Sequence, residues 1–138
     1  EIRTAFQTPG IARGLGRSYG DSSLFRTVVS TQLFDHYLAF DEITGRLHCQ
    51  AGVTFDQILK DFVPRGWFLP VTPGTRYITV GGAIASDIHG KNHHRHGCFS
   101  EFVEDFRILV GSGEVLKCSR VENQELYHAT CGGMGLTG

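Results

Sequence analysis

No apolar run in this chain is long enough to span a bilayer, which takes about 20 residues. The opening stretch, "EIRTAFQTPG", has no apolar core of the kind a secretory signal needs. Neither sign of charge dominates: 13 Lys and Arg stand against 14 Asp and Glu, a formal net charge of -1. That removes any general attraction to nucleic acid or anionic lipid, so no nucleic-acid partner is expected. No two of the four cysteines, Cys49, Cys98, Cys118 and Cys131, are spaced C-x-x-C. This argues against a zinc ribbon and a thioredoxin-like pair. They read instead as small buried apolar residues in a reducing compartment. There is no G-K-[ST], hence no Walker loop, and no H-E-x-x-H. Internal repeats and low-complexity tracts are also missing.

What is present is enough for one domain. The chain has 138 residues, and 41% of them are hydrophobic, which supports a real core. Ile2, Ala5 and Phe6 fall at helical spacing before Pro9-Gly10 and predict the tail of a helix begun upstream. The other end, "GGMGLTG", is a glycine-rich turn. Both ends are expected to be interior cuts in a longer protein.

Glycine is in excess: 18 residues, about twice the average usage of ~7%. The glycines cluster, and short β-type runs lie between the clusters. "GIAR" and "TVVST" flank the first cluster, and "HYLAFDEITGRLHCQAG" predicts a hairpin turning at Thr44-Gly45. In "TFDQILKDFVPRG", Phe55, Ile58, Leu59 and Phe62 share one helical face. Thr54 is a good N-cap there, and Pro64 and Gly66 end the helix. "WFLPV" predicts a short strand, and "TVGGAIASDIHG" a short helix opened by Thr79. "FVEDFRILVGSGEVLKCS" predicts a second hairpin, turning at Gly111-Ser112-Gly113. "NQELYHATCGG" predicts a helix capped by Asn123 and ended by Gly132. Mixed elements with frequent hairpins favour an α+β fold.

Two glycine loops carry chemistry. "RGLGRSYGD", Arg13 to Asp21, reads G-x-G-x-x-x-G, one residue longer than the dinucleotide fingerprint, and no amphipathic helix follows it. Such a loop can present several backbone N–H groups to a phosphate or pyrophosphate, or it can be an ordinary tight turn. In "PGTRYITVGGAIASDIHG", Gly81-Gly82 lets another surface approach the backbone, and Thr79 and Ser86 are small polar donors. Two such loops suggest a bulky anionic ligand gripped from two sides, and a dinucleotide fits. The run "DIHGKNHHRHG" holds His89, His93, His94 and His96. It can be a metal site, a solvated loop, or a loop that offers His89 to a cofactor or substrate. Gly90 and Gly97 interrupt the spacing that a metal would need.

In order along the chain, "ARGLGRSYGD", "LPVTPGTRYITVGGAIASDIHGKNHHRHG" and "ELYHATCGGMGLTG" resemble the FAD-binding, PCMH-type domain of the vanillyl-alcohol-oxidase superfamily. Within it, the resemblance is to the decaprenylphosphoryl-β-D-ribose oxidases, which make an arabinose donor for the cell wall. The resemblance implies an α+β domain with mixed and antiparallel sheets and flanking short helices, incomplete at both ends. The whole of 1–138 would be part of that domain, with a substrate domain lying outside the chain.

It also implies roles. Ala12, Arg13, Gly14, Leu15, Gly16, Arg17, Ser18, Tyr19, Gly20 and Asp21 would wrap the FAD pyrophosphate through backbone amides. Gly74, Thr79, Val80, Gly81 and Gly82 would form the second phosphate-side loop. Ser86, Asp87, Ile88 and His89 would run beside the flavin. Tyr19 would sit near the flavin edge and the substrate entrance, and His89 and Lys91 would face the reacting sugar. No metal is expected. Many relatives bond flavin covalently through a histidine in the first loop. Here that loop reads Gly16-Arg17-Ser18-Tyr19, so FAD is expected to be non-covalent.

The implied reaction is oxidation of a secondary alcohol of a sugar to a ketone, with hydride passing to flavin. The substrate would be a sugar or lipid-linked sugar, and a reductase subunit would be the partner. Membrane association rests on the resemblance alone. The expected place is the cytoplasm or a membrane-associated, periplasmic-facing site. A sugar, alditol or aldonolactone oxidase with similar loops is the rival enzyme. A non-catalytic polyanion- or metal-binding module is the rival from another class.

Overall fold

The computed structural model describes residues 9–20 and 22–138. The helix tail expected at Ile2, Ala5 and Phe6, and the cofactor role expected of Asp21, lie outside the described residues. Three small two-stranded sheets carry the strands. Strands β1 (Ile11–Arg13) and β2 (Val28–Ser30) pair in parallel, Ile11 opposite Val28 and Arg13 opposite Ser30. A parallel pair needs a long connection. Here the first glycine loop supplies it in place of a helix. Strands β3 (Tyr37–Asp41) and β4 (Arg46–Cys49) form the expected antiparallel hairpin, as do β5 (Asp105–Leu109) and β6 (Val115–Ser119). The α+β expectation agrees with this arrangement.

Helix α1 (Phe55–Phe62) forms where the periodicity places it. A capping box starts it: Thr54 Oγ1 accepts from Gln57 N–H, and Gln57 Oε1 accepts from Thr54 N–H. A Lys60–Asp56 pair at 2.7 Å spans one turn. Pro64 turns the chain into a short 3-10 segment, Val63–Arg65, and Gly66 ends it in the left-handed conformation. Phe55, Ile58 and Phe62 are buried, each worth about 1.5–3 kcal/mol. They meet Val53, Val71, Ala83 and Phe99 in the main core. Phe62 also packs on Tyr37 and Phe40 of the first hairpin, with ring centroids 5.2 and 4.6 Å away.

Helix α2 (Val80–Ala85) follows Thr79, whose Oγ1 accepts from Gly82 N–H as an N-cap should. Helix α3 (His93–His96) is a single turn inside the histidine run. Helix α4 (Gln124–Thr130) buries Tyr127 against Ile108 and Cys118 in a second core. Among the described residues, no helix is long and apolar enough to cross a membrane.

Two expectations need correction. "WFLPV" is not a strand: Trp67 to Val71 is irregular, and Trp67, Leu69 and Val71 pack on the main core without a strand partner. Period-two apolarity fits any extended segment that buries alternate side chains. Asn123 does not cap α4 with its side chain. It sits at φ +48 and its Nδ2 donates instead to Lys117 O, tying the helix start to β6.

Candidate functional site

The first glycine loop leaves β1 and folds over Arg13. Arg13 Nη1 donates to Ser23 O at 3.2 Å, closing the loop from inside. Gly16, at φ +60, lies directly on that guanidinium, where a Cβ would collide with it. Among the described residues, no main-chain N–H from Gly14 to Gly20 donates to a protein acceptor. Leu15 is half-buried and Gly16 to Gly20 are exposed. These donors are thus available to a ligand, as an anion site requires.

The second glycine segment is built differently. Val80 N–H donates to Val53 O at 2.8 Å, and Gly81 N–H to Ala51 O at 2.8 Å. Gly82 N–H goes to Thr79 Oγ1 and Ala83 N–H to Thr79 O. Two of these amides hold α2 to the chain around Gly52, and the other two close the helix's own first turn on Thr79. What the segment offers a ligand is bare backbone surface at Gly81 and Gly82. The two segments touch: Gly14 lies against the side chain of Thr79.

Between them opens a cavity of about 850 Å³. That is at the upper end of the roughly 300–1,000 Å³ usual for small-molecule sites. Ala12, Gly14, Leu15, Gly16, Arg17, Ser18 and Tyr19 line one part of it. Gly74, Thr79, Gly81, Gly82, Ser86, Ile88 and His89 line another. Arg13, Gly20, Val80, Asp87 and Lys91 are not among its lining residues. Tyr19 is fully exposed. Two further walls carried no signal that sequence reasoning used as a site. One is Phe106 to Leu109 of β5. The other is the turn holding Met134, Gly135 and Gly138. That turn is tied to α2 by Gly132 N–H to Ile84 O and Met134 N–H to Ala85 O, at 3.0 and 2.7 Å.

The histidine run is a closed excursion. Residues 88–89 and 98–99 pair across its base: His89 bridges Cys98, and Phe99 N–H donates to Ile88 O at 2.8 Å. Asn92 Nδ2 donates to Pro70 O, and Gly90 is buried against Thr72. His89 is exposed and reaches the cavity, with the His93 ring 5.2 Å from its own. Among the described residues, no three His, Cys, Asp or Glu side chains converge as a metal site. Burial raises the thiols of Cys49, Cys98, Cys118 and Cys131, which makes them poor nucleophiles.

A large open cavity, free amides on a glycine loop and a bare-backbone wall fit a dinucleotide with a pyrophosphate. Comparison with known proteins points the same way. The chain is 44% identical, over 93% of its length, to decaprenylphosphoryl-beta-D-ribose oxidase of Mycolicibacterium smegmatis, and it covers 28% of that protein. It is 28% identical to a putative D-arabinono-1,4-lactone oxidase of Neurospora crassa, over 91% of this chain and 22% of that protein. The chain thus spans about a quarter of the length of these relatives. A solved structure, 6-hydroxy-D-nicotine oxidase of Arthrobacter nicotinovorans, superposes with a TM-score of 0.75 at 21% identity. That likeness covers 88% of this chain and 27% of the other, and it speaks for the fold. The FAD binding domain family matches residues 2–119, and the chain belongs to that family.

Proposed function

We propose that this chain is the flavin-gripping part of an FAD-dependent oxidoreductase that oxidises a secondary alcohol of a sugar, with a lipid-linked ribose as substrate class. The cavity that joins the free amides of the first glycine loop to His89 carries the reading. Residues 1–138 are then part of the FAD-binding domain. The substrate domain, the reductase partner and any membrane contact belong to the rest of the protein.

In this reading the free amides between Gly14 and Gly20 hold the pyrophosphate. Thr79, Gly81 and Gly82, with Gly74, form the wall along which the dinucleotide lies. Bound FAD supplies the hydride acceptor. His89 takes the hydroxyl proton of the alcohol, and Tyr19 guards the entrance. Lys91, two residues from His89 and outside the cavity lining, is the residue assigned to steady the developing alkoxide. The first loop offers no histidine for a covalent link, so FAD is held non-covalently.

Anaerobic mixing tests the substrate. Decaprenylphosphoryl ribose should bleach the flavin band, and free alditols should not. The arabinono-lactone relative keeps a lactone or alditol oxidase as the second reading. Bleaching by an alditol or aldonolactone, with none by the lipid-linked sugar, would select it.

A further inference from the structure

Asp87 stands where a glycine is usual. Helix α2 ends in a Schellman motif: Asp87 N–H donates to Ile84 O and Ile88 N–H to Ala83 O, at 3.0 and 3.1 Å. The residue at that turn takes the left-handed conformation, and Asp87 does so at φ +41. Aspartate tolerates this poorly beside glycine, so its side chain must compensate. It does. The carboxylate accepts from Ser100 N–H at 2.9 Å and from Ser100 Oγ at 3.0 Å.

Ser100 is itself held. Its carbonyl accepts from Arg120 Nη2 at 2.9 Å and from Tyr127 Oη at 3.0 Å. Tyr127 is fully buried in the second core. Asp87 thus ties the end of α2 to the second core. The tie sits at the base of the histidine excursion, next to the 88–89 and 98–99 pairing. Two residues along the chain from Asp87, His89 reaches the cavity.

We propose that Asp87 is a positioning residue: latched to Ser100, it fixes the backbone of Ile88 and His89, and so sets the imidazole at the cavity wall. This rests on the reading that His89 faces the bound flavin and substrate. The latch itself does not depend on that reading, and the two can be separated.

The test uses the FAD-loaded protein with Asp87→Gly, Asp87→Asn, Ser100→Ala and His89→Ala. Glycine suits the left-handed turn, so Asp87→Gly removes the latch without adding strain. Ser100→Ala leaves the backbone of Asp87 untouched and serves if Asp87→Gly fails to fold. Amide exchange over residues 88–99, read by mass spectrometry, should quicken at least tenfold in Asp87→Gly. It should quicken less in Ser100→Ala, which keeps the N–H donor. Asp87→Asn, whose amide oxygen still accepts, should stay near wild type. The visible band of bound flavin should move in Asp87→Gly in the same direction as in His89→Ala, and Asp87→Asn should restore it. Wild-type exchange in both Asp87→Gly and Ser100→Ala would overturn the latch. Faster exchange with an unmoved band, where His89→Ala does move it, would overturn the positioning role. If His89→Ala leaves the band unmoved while Asp87→Gly quickens exchange, the latch stands and the reading of His89 fails.

Discussion

Gly14 lies so close to Thr79 that a Cβ on Gly14 would sit 2.9 Å from Thr79 Cγ2 and would collide with Thr79 Oγ1. The first glycine loop and the start of α2 are thus one packed unit. Thr79 cannot swing away freely, because its Oγ1 caps Gly82 N–H and a lost cap costs about 1 kcal/mol. Gly14→Ala should therefore destabilise by about 1–3 kcal/mol through overpacking and strain. It should also lower flavin content, because the loop must shift. A thermal melt beside a flavin-to-protein ratio reads both. An unchanged melt with full loading would show that the two segments can part cheaply.

Gly81 and Gly82 are neighbours with different duties. A Cβ on Gly81 would stand 3.0 Å from Ala51 Cβ and 3.2 Å from Ala51 O, across the bond that Gly81 N–H makes to Ala51 O. Among the described residues, a Cβ on Gly82 would meet only Thr79 Oγ1, at 3.0 Å. Gly81→Ala should chiefly cost stability. Gly82→Val should chiefly cost FAD, by filling the place where the ligand meets bare backbone. Denaturant melts and FAD titrations on both variants check the split. Equal losses of stability and binding in the two would erase the distinction.

The hairpins, α1 and α2 were legible because local rules fix them. Thr44-Gly45 and the capping box of Thr54 with Gln57 need no distant partner. Trp67 to Val71 was not legible, since its burial comes from the main core and not from a ladder. Asn123 misled because one side chain can cap a helix or bond elsewhere, and Lys117 O won. The first-loop residues around the cavity could be named from glycine spacing and resemblance. The β5 wall could not, because Phe106 to Leu109 read only as a strand. The spent amides of Val80 and Gly81 were hidden too: their acceptors, Val53 and Ala51, lie far back in the chain.

Alkaline pH should destabilise the fold in two stages. Burial pushes the Cys49 thiol up from its ordinary 9.0 to about 11. Burial, with Cys131 nearby, pushes the Tyr127 hydroxyl up from 10.0 to about 12. Below pH 9.0 both groups are neutral in the folded and unfolded chains, and this contribution is fully present. As pH rises, the unfolded groups ionise first. Stability then falls by roughly 1.4 kcal/mol per unit for each group until the folded pKa is passed. Urea melts across this range should show the decline begin near 9.0, with Cys49→Ala weakening the first stage, to which the raised thiols of Cys98, Cys118 and Cys131 also contribute. A flat profile through both stages would mean that the two groups are solvated in the folded protein.

Among the described residues, the amides of Gly14 to Gly20 are free and those of Val80 to Ala83 are not, so a pyrophosphate should be recognised at the first loop. Hydrogen bonds from backbone N–H groups to a charged acceptor are worth about 1.5–3 kcal/mol each. A ligand with two phosphates spans more of Gly14 to Gly20 than a ligand with one. ADP should therefore compete with FAD at least tenfold better than AMP, since ~1.4 kcal/mol from one added bond already gives that factor. Riboflavin, which has no phosphate, should compete weakly. Displacement titrations followed by flavin fluorescence supply the ranking. The Gly14→Ala variant should narrow the gap between ADP and AMP, because it shifts the donors and leaves adenosine contacts alone. If AMP matched ADP in the wild-type protein, the free amides of the first loop would not be the pyrophosphate grip.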